Sequence, residues 1–191
     1  MIIETIISTM SKEKKPQTSP FGIKKKNELI LISPYLPSTT HTNMLENKYA
    51  SISYTDNANI FVECIIKNRN FLMEKCTSIE GYYVKDSLKH DEVKVINYIK
   101  DDERPTFECE IIHTENHGSF LGINRARNAL IEACILATRI NLLPQKKILS
   151  ELEYLENAII KTSGQIEQVS WNKLKKFIDK KIKKNEFNSQ T

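Results

Sequence analysis

GINRARNALIEACILATRINLLP, Gly122 to Pro144, is the longest strongly patterned run in the chain. A glycine and an asparagine able to cap a helix open it, and a proline closes it, so both ends of a helix are written into the run. Placed at about 100° per residue, Arg125, Asn128, Glu132 and Arg139 fall in one narrow sector. Ala126, Ala129, Ala133 and Ala137 line the next sector, where small side chains let another element approach the backbone. Leu130, Ile131, Cys134 and Ile135 fill most of the remainder. A surface helix is polar over about half its circumference, so this pattern predicts a mostly buried helix. Its charged stripe must then be satisfied by its own members, by a partner subunit or by an anionic ligand. The plain structural account pairs Glu132 with a neighbouring arginine.

Everything after Ile123 reads as helix. Pro144 suits the first turn of a second helix reaching about Lys161, with Ile148, Leu152, Leu155 and Ile159 on its apolar face. Thr162-Ser163-Gly164 supplies a stop. A third helix, from Gln165 to about Lys184, sets Ile166, Val169, Leu174, Phe177 and Ile178 against a lysine face.

Working the other way, the first part of the chain reads as β-structure. Ile2 to Met10 alternates and is rich in Ile and Thr. SKEKKP is a charged turn, Gln17 to Lys24 and Glu28 to Tyr35 are two further strands, and the lysine run Lys24–Lys26 falls at the turn between them. This is a meander of the kind that begins a small antiparallel barrel. Ser33 to Pro37 is a crossing loop, because its two prolines suit neither a strand nor a helix interior. Thr39 to Lys48 is a short capped helix, followed by strands at Tyr49–Thr55 and at the almost wholly apolar Asn59–Ile66. Residues 68–83 show no clean period and read as loop or irregular helix. Glu92–Lys100 and Thr106–Thr114 are a closing pair of strands around DDERP. The expected class is α+β: a barrel over residues 1–121, then a helical segment over 122–191 packed on it.

Composition bounds the function. With 191 residues, 40% hydrophobic and 27% charged, the chain has enough material for one domain with a real core, or one domain plus an appendage. The net charge of +4 comes from lysine clusters near both ends. These are not interleaved with aromatics as a base-stacking surface would be, so they read as solvated faces, and nucleic acid is not the expected partner. The four cysteines have no metal-ligand spacing, and Cys64, Cys109 and Cys134 lie in apolar runs. No signal peptide or bilayer-length apolar run is present, which points to the cytoplasm and reduced thiols.

Chemical motifs are sparse. The chain has no Gly-rich phosphate loop, no GxSxG and no HExxH. His113 and His117 stand close together, but a strand end and turn do not give them the geometry of a helical ligand pair, and no metal is expected. Ser38 to Asn43 places several hydroxyls and an amide at a helix start. That suits either plain capping or an anion seat.

Residues 123–144 also resemble the C-terminal signature of a prokaryotic family of unknown function placed among the FMN-binding split-barrel proteins. Asn124-Arg125-Ala126, Ile131-Glu132-Ala133 and Ala137-Thr138-Arg139 carry the likeness, and LEYLENAIIKTSG resembles the end of its second helix. A weaker, collinear resemblance runs through Ile6–Thr9, Ser19–Ile23, Thr40–Asn43 and Ser53–Asp56. The resemblance implies a split β-barrel, a homodimer and an FMN site near the subunit interface. By position, Ser8, Thr9, Ser19, Phe21 and Gly22 would flank the flavin ring, and Thr40, Thr42 and Asn43 would take the phosphate. Asn124 and Arg125 would reach or brace the same site. The first turn departs from the family pattern, because SKEKKP replaces an Asp-Gly or Asn-Gly.

Two readings follow from that resemblance: a flavin-dependent oxidoreductase of flavin-reductase type, or a non-catalytic FMN-binding dimer acting as sensor or carrier. Nicotinamide, deazaflavin and other electron donors all remain open, as does the small-molecule redox substrate. Nucleic-acid binding through the lysine-rich third helix is a more distant alternative.

Overall fold

The computed structural model describes residues 1–190, with side chains through residue 185. The Ile- and Thr-rich opening run forms β1 (Ile2–Met10), as β-branched residues favour. The chain turns through Ser11–Lys15 into β2 (Pro16–Lys26), with Ile2 opposite Lys24 and Met10 opposite Pro16. Lys14 adopts a left-handed φ of 59° in this turn, a conformation glycine ordinarily supplies. Next come β3 (Leu29–Ile32), α1 (Thr39–Asn47) and β4 (Tyr49–Tyr54). Ser38 caps α1 by accepting from the His41 N–H.

Helix α2 (Ala58–Ile65) is followed by a two-stranded hairpin, β5 (Met73–Lys75) and β6 (Tyr82–Val84). The long strands β7 (Lys89–Ile99) and β8 (Thr106–Asn116) pair with each other. A closed antiparallel barrel results, in the order β1-β2-β3-β8-β7-β4. Closure leaves the barrel sheet without an unpaired edge. Ile7, Ile23, Ile30, Ile32, Ile52, Val93 and Phe107 fill its core with Met44 of α1, each at most 1% exposed. Burying one such side chain stabilises the fold by about 1.5–3 kcal/mol.

Three helices complete the chain: α3 (Arg125–Thr138), α4 (Gln145–Thr162) and α5 (Gln165–Gln190). The fold is therefore α+β, an antiparallel split barrel followed by a three-helix segment. It divides into two compact units, residues 1–56 with 71–120, and residues 57–70 with 121–191. Within the second unit α3 packs on α2, α4 and α5. Its alanines 126, 129, 133 and 137 are all buried, which gives the small-residue face its packing role. Glu63 of α2, 1% exposed, receives Lys173 of α5 at 2.7 Å, and Arg127 of α3 pairs with Glu167 of α5 at 3.1 Å.

Several expectations need correction. Residues 59–65 are helix and Ile66 is its C-cap, so this run is not a central strand: Asn57 caps α2, and Ile60, Phe61, Val62 and Cys64 are all buried. An apolar run that is covered all round has no period to distinguish strand from helix. Residues 68–83 hold the β5–β6 hairpin. Lys24–Lys26 belong to β2, where they pair through the backbone with Leu31, Ile30 and Leu29 while their side chains stay exposed. The polar stripe of α3 is not buried: Arg125, Asn128, Glu132 and Arg139 are exposed. Helix α3 ends at Thr138, short of Pro144, and Ile166 and Val169 of α5 are exposed while Trp171, Leu174, Ile178 and Ile182 are buried.

Candidate functional site

A cleft of about 210 Å³ opens at the C-terminal end of β1. Ser8, Thr9 and Met10 of β1 form one wall, and Ser11, Lys12 and Lys14 of the adjoining turn form its rim. Asn47 of α1, Tyr49 and Ala50 of β4, and Ile79–Gly81 before β6 complete it. The polar wall is held from behind. Asn43 donates its Nδ2 to Thr9 Oγ1 at 3.0 Å, Asn47 donates to the Met10 carbonyl, and Ser8 Oγ lies 3.2 Å from Thr18 Oγ1.

Hydroxyl bookkeeping shows what this wall offers a ligand. Thr9 Oγ1 accepts from Asn43, so its own O–H is not used in that bond. Ser11 Oγ accepts from the N–H groups of Glu13 and Lys15, and its hydroxyl donates to the Glu13 carboxylate, which it holds below the usual range. Lys12 and Lys14 bring positive charge and pair with exposed glutamates, Glu46 at 3.7 Å and Glu80 at 2.7 Å. Such solvent-exposed pairs are weak and exchangeable. The arrangement suits an anionic group.

The residues expected at a site are only partly brought together. Ser8 and Thr9 line the cleft, and Asn43 supports it through Thr9. Thr40 is buried beside them in α1 without lining it. Thr42 is exposed, and its hydroxyl donates to the Ser38 carbonyl at 3.3 Å within the helix. Ser19 accepts from Gln17, and Phe21 packs against the barrel core. At Gly22 a Cβ would meet Ile2 Cγ2 at 2.6 Å, so strand packing accounts for that glycine. Asn124 caps α3, accepting from the Arg127 N–H and donating to the Thr162 carbonyl at 3.0 Å; Arg125 is exposed beside it. Sequence reading missed Ser11, Lys12, Lys14 and Asn47. The signal was the turn SKEKKP, which carries a serine and three lysines where the resembled family has an Asp-Gly or Asn-Gly.

A second cluster lies on the outer face of the β7–β8 ribbon. Register sets His90 opposite Glu115 and Glu92 opposite His113. His90 and Glu92 are fully buried. Tyr83 of β6 stacks on His90 with ring centroids 3.8 Å apart. Burial opposes ionisation of Glu92, yet the N–H groups of Thr77, Ser78 and Ile79 donate to it at 2.6–2.9 Å and hold it below the usual carboxylate range. Burial keeps His90 below the ordinary histidine value, hence neutral. Thiol chemistry has no comparable support, because burial pushes Cys64, Cys76 and Cys109 up to about 12 and Cys134 higher still.

Comparison with known proteins adds a relationship. Models of the two domains of a family of unknown function, DUF447, match residues 3–118 and residues 124–176. The chain belongs to the DUF447 family. An FMN-bound DUF447 protein of Methanosarcina mazei has a similar structure, with a TM-score of 0.79 at 21% identity over 92% of this chain and 94% of that one. The 2-nitrobenzoate 2-nitroreductase of Pseudomonas fluorescens is similar in structure over 60% of this chain and 64% of the other, with a TM-score of 0.53 at 15% identity. An NADH:FAD oxidoreductase of Streptomyces globisporus gives 0.52 at 10% identity, over 61% and 72%. No curated protein sequence matches the chain. At these identities the likeness establishes the split-barrel fold of this DUF447 protein. No helix among the described residues is long and apolar enough to cross a membrane.

Proposed function

We propose that this protein binds FMN at the β1-end cleft, as a homodimer, and acts as a flavin-dependent oxidoreductase of flavin-reductase type on a small redox substrate. The observation that carries this reading is a single cleft lined by Ser8, Thr9 and Ser11 together with Lys12 and Lys14. These residues fit the phosphate end of FMN: the Thr9 hydroxyl accepts from Asn43 and keeps a proton to donate, beside two lysines. Support comes also from the family, whose Methanosarcina mazei member is FMN-bound, and from the enzymes that share the barrel.

A bound flavin would supply hydride chemistry, and the protein's task is to bind, orient and exclude water. Lys12 and Lys14 would neutralise the phosphate. Ser11 and Thr9 would fix its orientation, with Asn43 and Asn47 bracing the strand beneath. Tyr49, Ala50 and Ile79 supply the less polar side of the cleft. Ligand pockets commonly enclose about 300–1,000 Å³, more than this cleft holds, which favours completion by a second subunit. Ile96, Ile99, Ile111 and Ile112 on β7 and β8 are 37–49% exposed and offer that subunit an apolar surface.

The test uses the purified full chain. The expected result is an oxidised-flavin spectrum on FMN addition and bleaching by NADH without oxygen. Binding without bleaching by any donor would select the non-catalytic dimer. Replacing Lys12 and Lys14 together by alanine should weaken FMN roughly tenfold or more, because two screened charge contacts to the phosphate are lost. Riboflavin, which lacks the phosphate, should bind both proteins alike. Absence of any FMN binding would overturn the reading.

A further inference from the structure

The cluster on the β7–β8 ribbon plays no part in the cleft chemistry, yet it has the composition of a metal site. One ligand atom each from His90, His113 and Glu115 lies within 4.8 Å of the others. Two imidazoles and a carboxylate, with a further position open to water, form the ligand set of many zinc and non-haem iron centres. We propose that His90, His113 and Glu115 bind one divalent first-row transition metal ion.

His90 is the fixed member. It is fully buried under the Tyr83 ring, and both of its nitrogens have partners: His117 Nε2 lies 2.8 Å from Nδ1, and Glu92 Oε1 lies 3.3 Å from Nε2. Whichever nitrogen turns to the ion, the other keeps a hydrogen bond that sets tautomer and ring orientation. Ligating histidines require this second contact, and its loss typically costs 10–100-fold in affinity. Glu92 is itself anchored by three backbone N–H donors, so the support beneath His90 is rigid.

His113 and Glu115 are the adjustable members. The His113 Nε2 atom is buried and, among the described residues, has no hydrogen-bond partner. The Glu115 carboxylate is 3.8 Å away, beyond hydrogen-bond reach. An unpartnered buried imidazole nitrogen beside an acceptor is costly unless something is placed between them, and a cation resolves the conflict. In a tetrahedral zinc site with bonds of about 2.0–2.1 Å, ligand atoms lie roughly 3.4 Å apart. The cluster must therefore contract by rotating His113 and Glu115, whose side chains are 29% and 50% exposed. Their exposure also provides the route by which an ion enters.

The experiment is a Zn²⁺ titration of the full-length protein, stripped with a chelator and free of flavin, followed by competition with a chromophoric chelator. Co²⁺ absorption serves as the second probe. The expected result is one ion per chain, with His113→Gln and Glu115→Gln each weakening binding at least tenfold. Both substitutions change rim side chains, and equal melting temperatures with chelator present would confirm that the variants fold. Absence of stoichiometric Zn²⁺ binding would overturn the proposal. So would equal binding by the double variant, because the ion would then sit elsewhere. A tetrahedral Co²⁺ spectrum that disappears in both variants would support it.

Discussion

Asn43 of α1 and Thr9 of β1, 34 positions apart, meet through a buried hydrogen bond of 3.0 Å. This bond ties the helix to the strand that walls the cleft. Replacing Asn43 with alanine leaves Thr9 without its donor and opens a gap behind it. The expected cost is about 1–2 kcal/mol of stability, accompanied by weaker FMN binding. Thr42→Ala, one residue earlier but exposed, should change neither. Denaturant unfolding and FMN titration of both variants check the contrast.

Glu80 competes with any anion for Lys14, to which it is paired at 2.7 Å. Glu80→Gln should therefore tighten FMN binding by up to about fivefold, a small gain as expected of an exposed pair. The gain should fade as salt is added, because screening weakens the freed charge as well. Titrations at low and high ionic strength measure both effects.

Glu63 makes the helical unit sensitive to acid. Burial pushes its carboxyl upward, but Lys173, Asn68 and the Asn70 N–H together hold it below its ordinary 4.5. A carboxylate depressed in the folded state binds its proton more readily when unfolded. Its contribution is thus fully present above the ordinary value and is lost as pH falls through the folded one. Glu63→Gln should cost about 3 kcal/mol near neutral pH, since it strips a buried pair of its charge. The gap between wild type and variant should close on acidification, as melting temperatures measured from neutral pH downward will show.

The two faces of α3 should respond in opposite ways to mutation. Glu132→Ala and Arg139→Ala alter exposed side chains and should stay within about 0.5 kcal/mol of wild type. Ala133→Leu forces bulk into a position with no exposure and should cost about 1–3 kcal/mol by overpacking. Thermal melts of the three variants distinguish a packing face from a charged network.

The barrel was largely legible because its strands differ in period from their surroundings. Ile2–Met10 alternates, and the turn residues Ser11–Lys15 separate it from β2. Legibility failed where burial is complete on every side, as in α2, and where pairing runs through the backbone whatever the side chains, as at Lys24–Lys26. The α3 stripe misled for a different reason. Alanine contributes little to apparent hydrophobicity, yet it marks the contact face, while the exposed polar sector is narrow enough to look enclosed. At the cleft, Ser8 and Thr9 could be placed by resemblance. Lys12 and Lys14 could not, because a lysine-rich turn looks the same in sequence whether or not a cavity lies behind it. The histidine cluster depends on register across two strands, which local sequence does not specify.

Helix α2 is made early, between two parts of the barrel, but it belongs with helices encoded after residue 120. During synthesis its apolar surface must therefore wait, uncovered, while more than fifty residues emerge before α3 begins at Arg125. A protein truncated after the last barrel strand would keep that surface without its natural cover. Nascent chains stalled there should engage chaperones or aggregate, although every strand of the barrel has already been made.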